Sequence, residues 1–214
     1  MKICFSGTQC VGKSTVVNDF LAQWPMYKKA DNSYRDKVKA NPKVKLNQNG
    51  NEDSQVVIRD ALIDQVQMYS KYANIVFDRC IFDYIAYTLW LNAKGKVSDL
   101  FVEKQIPIIR ETMKMYDIIF FIPILKNYPI TIVPSKDGQR DLDPLFREEI
   151  DNIMKAVYKD YLNKKRVFFP QEDCTGVLEL FGSQQERIEM IKLYINPKGG
   201  LYGEQDSLLK DIKV

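Results

Sequence analysis

The strongest constraint in these 214 residues is the octet Gly7-Thr8-Gln9-Cys10-Val11-Gly12-Lys13-Ser14, which fits G-x-x-x-x-G-K-[ST] at every fixed position. Ile3 to Phe5 form a short apolar run that breaks at Ser6-Gly7. From Lys13 onward, Val16, Val17, Phe20, Leu21 and Trp24 fall on one helical stripe. The order is strand, glycine loop, helix. In that order the glycines let the backbone fold into a concave loop with its N–H groups inward, and the helix N-terminus adds partial positive charge. Polyphosphate fits such a cradle. By chance the pattern arises in roughly one chain in a hundred of this length. The alternative is a glycine turn ahead of an ordinary helix.

Gly7, Thr8, Gln9, Cys10, Val11 and Gly12 are thus expected to wrap the phosphates of a nucleoside triphosphate. Lys13 is expected to reach the β and γ phosphates, Ser14 to ligate Mg²⁺, and Thr15 to add a second phosphate contact. Cys10 lies inside the loop, where a solvent-facing cysteine is the plainer reading.

The rest of the chain alternates short apolar strands with helical stripes. Residues 27–30 read as a second short strand. Residues 36–54 read as a mobile polar connection, with Ser54 as the next helix cap. Ile58, Leu62, Val66, Tyr69 and Ala73 then recur at helical spacing and lead into the strand Ile75-Val76-Phe77. A helix follows through Phe82, Ile85, Ala86, Leu89 and Trp90. Another at about 99–115 contains Pro107, which should kink it or mark its start. Ile118 to Ile122 and Val177 to Leu180 read as strands. Asp143-Pro144 opens a long helix as cap and first residue, and Gln184 to Ile195 forms the last helix. The pattern predicts an α/β fold: a three-layer α/β/α sandwich around a central parallel sheet. One domain is expected over 1–195, with a lid segment at about 134–147 and a loosely docked tail over 196–214.

Lys and Arg number 31 against 28 Asp and Glu, a net +3, which argues against bulk-charge binding of a polyanion. Cys4, Cys10, Cys80 and Cys174 show no C-x-x-C spacing, and neither a leader nor a long apolar span is read. These point to a reducing cytoplasm and no membrane. The chain has no histidine, which removes Ser/His and Cys/His nucleophilic schemes and the usual zinc ligands. Proton transfer therefore falls to carboxylates.

Asp78-Arg79 stands where the third strand stops, on the edge where parallel sheets line their ligand crevice. Asp78 can join the Mg²⁺ shell or accept the proton of an attacking hydroxyl, and Arg79 can clamp an anionic acceptor. A surface ion pair is the plain alternative. Asp31, Asn32 and Arg35 form a polar cluster on the same edge, suited to orienting a sugar hydroxyl, although a turn and helix cap explain Asp31-Asn32-Ser33 equally well. Lys136, Asp137, Arg140 and Arg147 flank the start of the long helix. Cations there can close over a triphosphate, or Arg147 can pair with neighbouring carboxylates.

On the blocks GTQCVGKST, NSYR, FDRCIFDYIAYTLW and DGQRDLDPLFREEID, the chain resembles the AAA-like ATPase/kinase family of P-loop proteins. That group includes the ribosylnicotinamide kinase domain of bacterial NAD-salvage proteins and is related to deoxynucleoside and nucleotide kinases. The resemblance implies a five-stranded parallel sheet. It implies an acceptor side carrying Asp78-Arg79 with Asp83 and Tyr87, a D-G-x-R lid at Asp137, Gly138 and Arg140, and an adenine-side loop at Gly182-Ser183 followed by the E-R pair Glu186-Arg187. Where relatives tend to have Glu three residues before the arginine, Asn32 stands, with Asp31 adjacent.

The leading expectation is an ATP- and Mg²⁺-dependent kinase for a nucleoside, nucleotide or nicotinamide riboside-like acceptor. Lys13, Asp78 and Arg140 are the catalytic residues. Asp31, Asn32, Arg35, Arg79 and Asp83 lie on the acceptor side, and Arg147, Gly182 and Ser183 on the nucleotide side. Either Asp31 or Asp78 orients the hydroxyl. Two alternatives stand beside it: a polynucleotide or modified-base DNA kinase using the lysine-rich 36–45 segment, and a nucleotide-dependent ATPase switch without a small acceptor. A homo-oligomer is compatible with either.

Overall fold

Five short strands form one parallel sheet: β1 (Lys2–Ser6), β2 (Lys28–Lys29), β3 (Ile75–Asp78), β4 (Ile118–Phe121) and β5 (Gly176–Glu179); all but β2, two exposed lysines at the sheet edge, are largely apolar. Their spatial order is β2-β3-β1-β4-β5. This computed structural model describes residues 1–31, 33–129, 134, 141 and 143–202 and, of residues 33–35 and 39, the backbone alone.

Successive strand side chains point to opposite faces, so the strands inside the β2 edge feed two cores. Cys4, Ile75, Phe77, Ile119, Phe121 and Val177 pack on one face with Ile85, Met113, Ile150 and Met154. Ile3, Phe5, Val76, Ile118 and Phe120 pack on the other with Val16, Val17, Phe20 and Ile191. The first face is covered by α3 (Glu52–Met68), α4 (Ile81–Ala93), α5 (Asp99–Met113) and α6 (Pro144–Leu162). The second is covered by α1 (Lys13–Gln23) and α7 (Gln184–Lys192). This is the expected α/β/α sandwich. Among the described residues, no helix is long and apolar enough to cross a membrane.

Several local expectations change. Residues 36–54 are not one connection, because α2 (Ser33–Ala40) and a 3-10 turn at Asn47–Asn49 lie within or across them. α2 packs against α3 and buries Val38, too few apolar positions to leave a stripe in the sequence. The cap of α3 is Asn51, whose Oδ1 accepts from Ser54 N at 3.0 Å. Ser54 is instead buried, its Oγ accepting from Lys45 N at 2.9 Å. Pro107 sits inside α5, which Ser98 caps. Asp143 caps α6 with Pro144 behind it, as read.

α7 stops at Lys192, because Ile195 turns out to bridge Leu201. Residues just beyond it dock on the end of α1: Trp24 Nε1 donates to Asn196 O at 2.9 Å, and Tyr27 OH to Gly199 O at 2.6 Å. The cysteines are free, and burial, reinforced by the neighbouring Cys80, pushes the Cys4 thiol well up.

Candidate phosphate-transfer site

The loop between β1 and α1 has the backbone that a phosphate cradle requires. Gly12, at φ 87°, caps α1 without a side-chain hydrogen bond, and no acidic residue stands in the first turn. The N–H groups of that turn and the helix dipole are therefore not countered by any carboxylate of α1 itself. A Cβ on Gly7 would lie 2.4 Å from Ile122 O, so only glycine lets the loop approach the end of β4. Cys10 also takes positive φ, 54°.

Lys13 is buried and folds back onto its own loop, Nζ donating to Gly7 O at 2.5 Å and Thr8 O at 2.6 Å. Ser14 and Thr15 are exposed at the mouth. Across from them, Ser14 Oγ donates to Asp78 Oδ2 at 2.8 Å, and Lys29 Nζ lies 4.0 Å from the same oxygen. Asp78 Oδ1 is buried without a hydrogen-bond partner. Burial opposes ionisation of Asp78. Lys13, the Ser14 hydroxyl, Arg79 and Lys29 outweigh it and hold the carboxyl below its usual range.

An unsatisfied carboxylate oxygen beside a serine hydroxyl is a donor set for a hard cation that keeps most of its shell for water and phosphate. Mg²⁺ fits Ser14 and Asp78 on that ground. Among the described residues, no cluster of three or more His, Cys, Asp or Glu could hold a metal by itself.

Arg79 follows Asp78 in a conformation rare for a side-chain-bearing residue, φ 89°, its N–H donating to Phe5 O at 3.1 Å. Its guanidinium lies 5.9 Å from the centre of the Tyr87 ring. Asp31 is exposed at the end of β2. Its N–H donates to Tyr69 OH at 3.1 Å and its carbonyl accepts from Gln65 Nε2, so α3 fixes its backbone.

Asp83, assigned to the acceptor side by resemblance, is buried beneath the loop. Its Oδ2 accepts from Ser6 Oγ at 2.8 Å and Cys80 N at 3.1 Å, and its Oδ1 from Gly7 N at 3.4 Å. It braces the loop and the start of α4.

Arg147 also contacts the loop: Nε donates to Gln9 O at 2.8 Å and Nη2 to Cys10 O at 2.9 Å, while its own carbonyl accepts from Thr8 Oγ1 at 3.2 Å. Gln9 Nε2 donates to Asp141 O at 2.6 Å, and Val11 is buried. Gly182, at φ 86°, precedes Ser183, which caps α7 in a reciprocal pair with Glu186. Asn32, Lys136, Asp137, Gly138 and Arg140 lie outside the described residues, as does the side chain of Arg35.

Two polar residues at the site had not been singled out as site residues. Arg187 Nη1 donates to Val11 O at 2.8 Å, and Gln48 Nε2 bridges Asp141 Oδ2 and Asp143 Oδ2 at 3.1 Å each. The E-R pair at 186–187 was a visible signal for Arg187. Nothing marked Gln48.

A family model described as an AAA domain matches residues 2–173. The chain belongs to the AAA domain family. Curated proteins give this AAA domain no match. Solved structures do. Deoxyadenosine kinase from M. mycoides, with products dcmp and a flexible dcdp bound, has a TM-score of 0.59 at 14% identity over 89% of this chain and 96% of that one. NadR protein in complex with NR has a TM-score of 0.59 at 17% identity over 89% of this chain and 48% of that one, so this AAA domain spans about half of NadR. Thymidylate kinase from Candida albicans has a TM-score of 0.58 at 14% identity, with 89% of each chain covered. At such identities the likeness is one of fold, and the fold is that of P-loop nucleoside and nucleotide kinases. The P-loop of this AAA domain implies nucleotide binding.

Proposed function

We propose that this protein is a kinase that transfers the γ-phosphoryl group of ATP, with Mg²⁺, to a hydroxyl of a nucleoside, nucleotide or nicotinamide riboside-like acceptor. The observation that carries the reading is the end of β3. There Asp78 turns one oxygen to Ser14 and leaves the other unsatisfied, and Arg79 is held beside it at φ 89°. Strain of that kind persists where function requires the side chain's position. The structural likeness to deoxyadenosine and thymidylate kinases supports the same reading.

Phosphoryl transfer asks little covalent chemistry of a protein, so catalysis here is positioning and electrostatics. The loop N–H groups bind the phosphates, and Lys13 leaves Gly7 O and Thr8 O to meet the β and γ oxygens. Ser14 and Asp78 would hold Mg²⁺, which would supply charge neutralisation to the triphosphate. The acceptor hydroxyl oxygen forms the new bond to γ-phosphorus as the bond to the bridging oxygen breaks and ADP leaves.

Asp78, held ionised and bonded to Ser14, is a poor proton acceptor. Asp31, exposed with its backbone fixed by Gln65 and Tyr69, takes the hydroxyl proton instead. Arg79 holds the acceptor, and Arg140 stabilises charge developing on the transferred group.

The test is a γ-labelled ATP transfer screen over nucleosides, nucleotides, nicotinamide riboside and polynucleotides. Label is expected in a small acceptor in wild-type protein and absent in Lys13→Ala. Transfer that persists in Lys13→Ala, or label found only in polynucleotide, contradicts the proposal.

A further inference from the structure

The carbonyls of the phosphate loop are taken up one after another. Lys13 holds those of Gly7 and Thr8, Arg147 those of Gln9 and Cys10, Arg187 that of Val11, and the Val16 N–H that of Gly12. A planar trans peptide points its N–H opposite to its C=O. A donor that fixes a carbonyl therefore fixes the direction of the amide that follows it. Lys13 can move to phosphate without disturbing residues 9–11, whose carbonyls rest on the two arginines.

Arg187 is the less expected of the pair. It comes from α7, beyond the residues matched by the family model, and it is 4% exposed where Arg147 is half-buried. Its Nε is buried without a hydrogen-bond partner, and among the described residues it makes no ion pair with a carboxylate. Burial draws its pKa down. A buried guanidinium without a counter-charge destabilises the unliganded protein, so a merely structural role would be better served by an apolar side chain. Two anchors aim it at the loop: the Ser183–Glu186 cap at the start of α7, and Gln184 Nε2 donating to Asp19 Oδ2 of α1 at 2.8 Å.

We propose that Arg187 is a positioning residue of the phosphate site, which pins the Val11 peptide and whose uncompensated charge is balanced by bound polyphosphate. This rests on reading the loop as a nucleotide site.

The experiment titrates wild type, Arg187→Lys and Arg187→Met with inorganic tripolyphosphate and with ADP, and records the melting temperature of each protein without ligand. Arg187→Met is expected to lose about tenfold or more in both affinities, and Arg187→Lys about threefold, because a lysine replaces the charge but not the planar fork. The unliganded Arg187→Met protein should melt at the wild-type temperature or above it. Guanidinium ion at millimolar levels should restore part of the tripolyphosphate affinity of Arg187→Ala.

Wild-type affinity in the Met and Lys variants overturns the proposal. So does an affinity loss that only follows a lowered melting temperature and is not rescued by guanidinium. Should the Met variant fail to fold, unchanged affinity in the Lys variant overturns it. Absence of tripolyphosphate and ADP binding by the wild type overturns the nucleotide-site reading as well, whereas unaltered binding in the variants overturns this proposal alone.

Discussion

Ser14 Oγ donates to Asp78 Oδ2 at 2.8 Å, joining the start of α1 to the end of β3 and facing the phosphate loop with a carboxylate whose second oxygen has no partner. The parallel pairing of β1 with β3 sets this meeting, because Phe5 is in register with Asp78. Removing the charge should therefore act on turnover and on acid stability together.

Asp78→Asn is expected to lower Mg²⁺-dependent turnover by about 10²–10³-fold. The folded-state pKa of Asp78 lies below its ordinary value of 3.8. Its stabilising contribution is thus fully present above that value and is lost as pH falls through the folded pKa. Denaturant unfolding of the unliganded protein across the acid range should show the wild type losing its advantage over Asp78→Asn there. Asp151 and Glu179, whose carboxyls burial pushes up, act with the opposite sign, so the difference between the two proteins is the quantity to read.

Asp83 satisfies the Ser6 hydroxyl and the amides of Gly7 and Cys80 from a buried position. Asp83→Ala leaves three buried donors unpaired and is expected to cost about 2–4 kcal/mol in chemical unfolding. Asp83→Asn, which retains one acceptor oxygen, should cost less. Both should weaken ADP binding in the same order, measured by calorimetry.

Gly7→Ala forces a methyl group to within 2.4 Å of Ile122 O, which is backbone and cannot rotate away. A shift of the whole loop follows. The expected outcome is a loss of about 2–3 kcal/mol in stability and of measurable nucleotide affinity. Wild-type ADP affinity in this variant would contradict the loop geometry.

Arg79→Gly removes a side chain but also relieves a φ of 89°. The two effects offset, and unfolding stability should stay within about 1 kcal/mol of wild type. The acceptor KM should rise about tenfold or more, while the KM for ATP stays near its wild-type value.

How far the sequence discloses this site depends on whether the signal is local. The glycine loop, the Asp143-Pro144 start of α6 and the strand-end Asp78-Arg79 are visible because each is a short pattern with one backbone consequence. α2 was hidden because it buries Val38 with little else to mark a stripe, and the cap of α3 was misplaced because Ser54 faces inward to Lys45.

For Asp83, Arg147 and Arg187 the residues are visible in the sequence but their partners are not, for a different reason. Each binds backbone groups of the loop, across sequence separations of 76, 138 and 176 residues, and backbone carbonyls and amides carry no sequence signature. Arg147 was expected to face phosphate. In the structure its guanidinium donates to the loop carbonyls of Gln9 and Cys10.

The most direct test of phosphoryl transfer is ³¹P NMR of ATP and Mg²⁺ incubated with the wild-type protein and the acceptor identified by the screen. The expected spectrum shows ADP growing with an equimolar new phosphoryl-ester signal on the acceptor, and neither in Lys13→Ala. ADP accompanied only by inorganic phosphate, at a rate indifferent to every acceptor offered, would contradict the assignment and make the protein an ATPase.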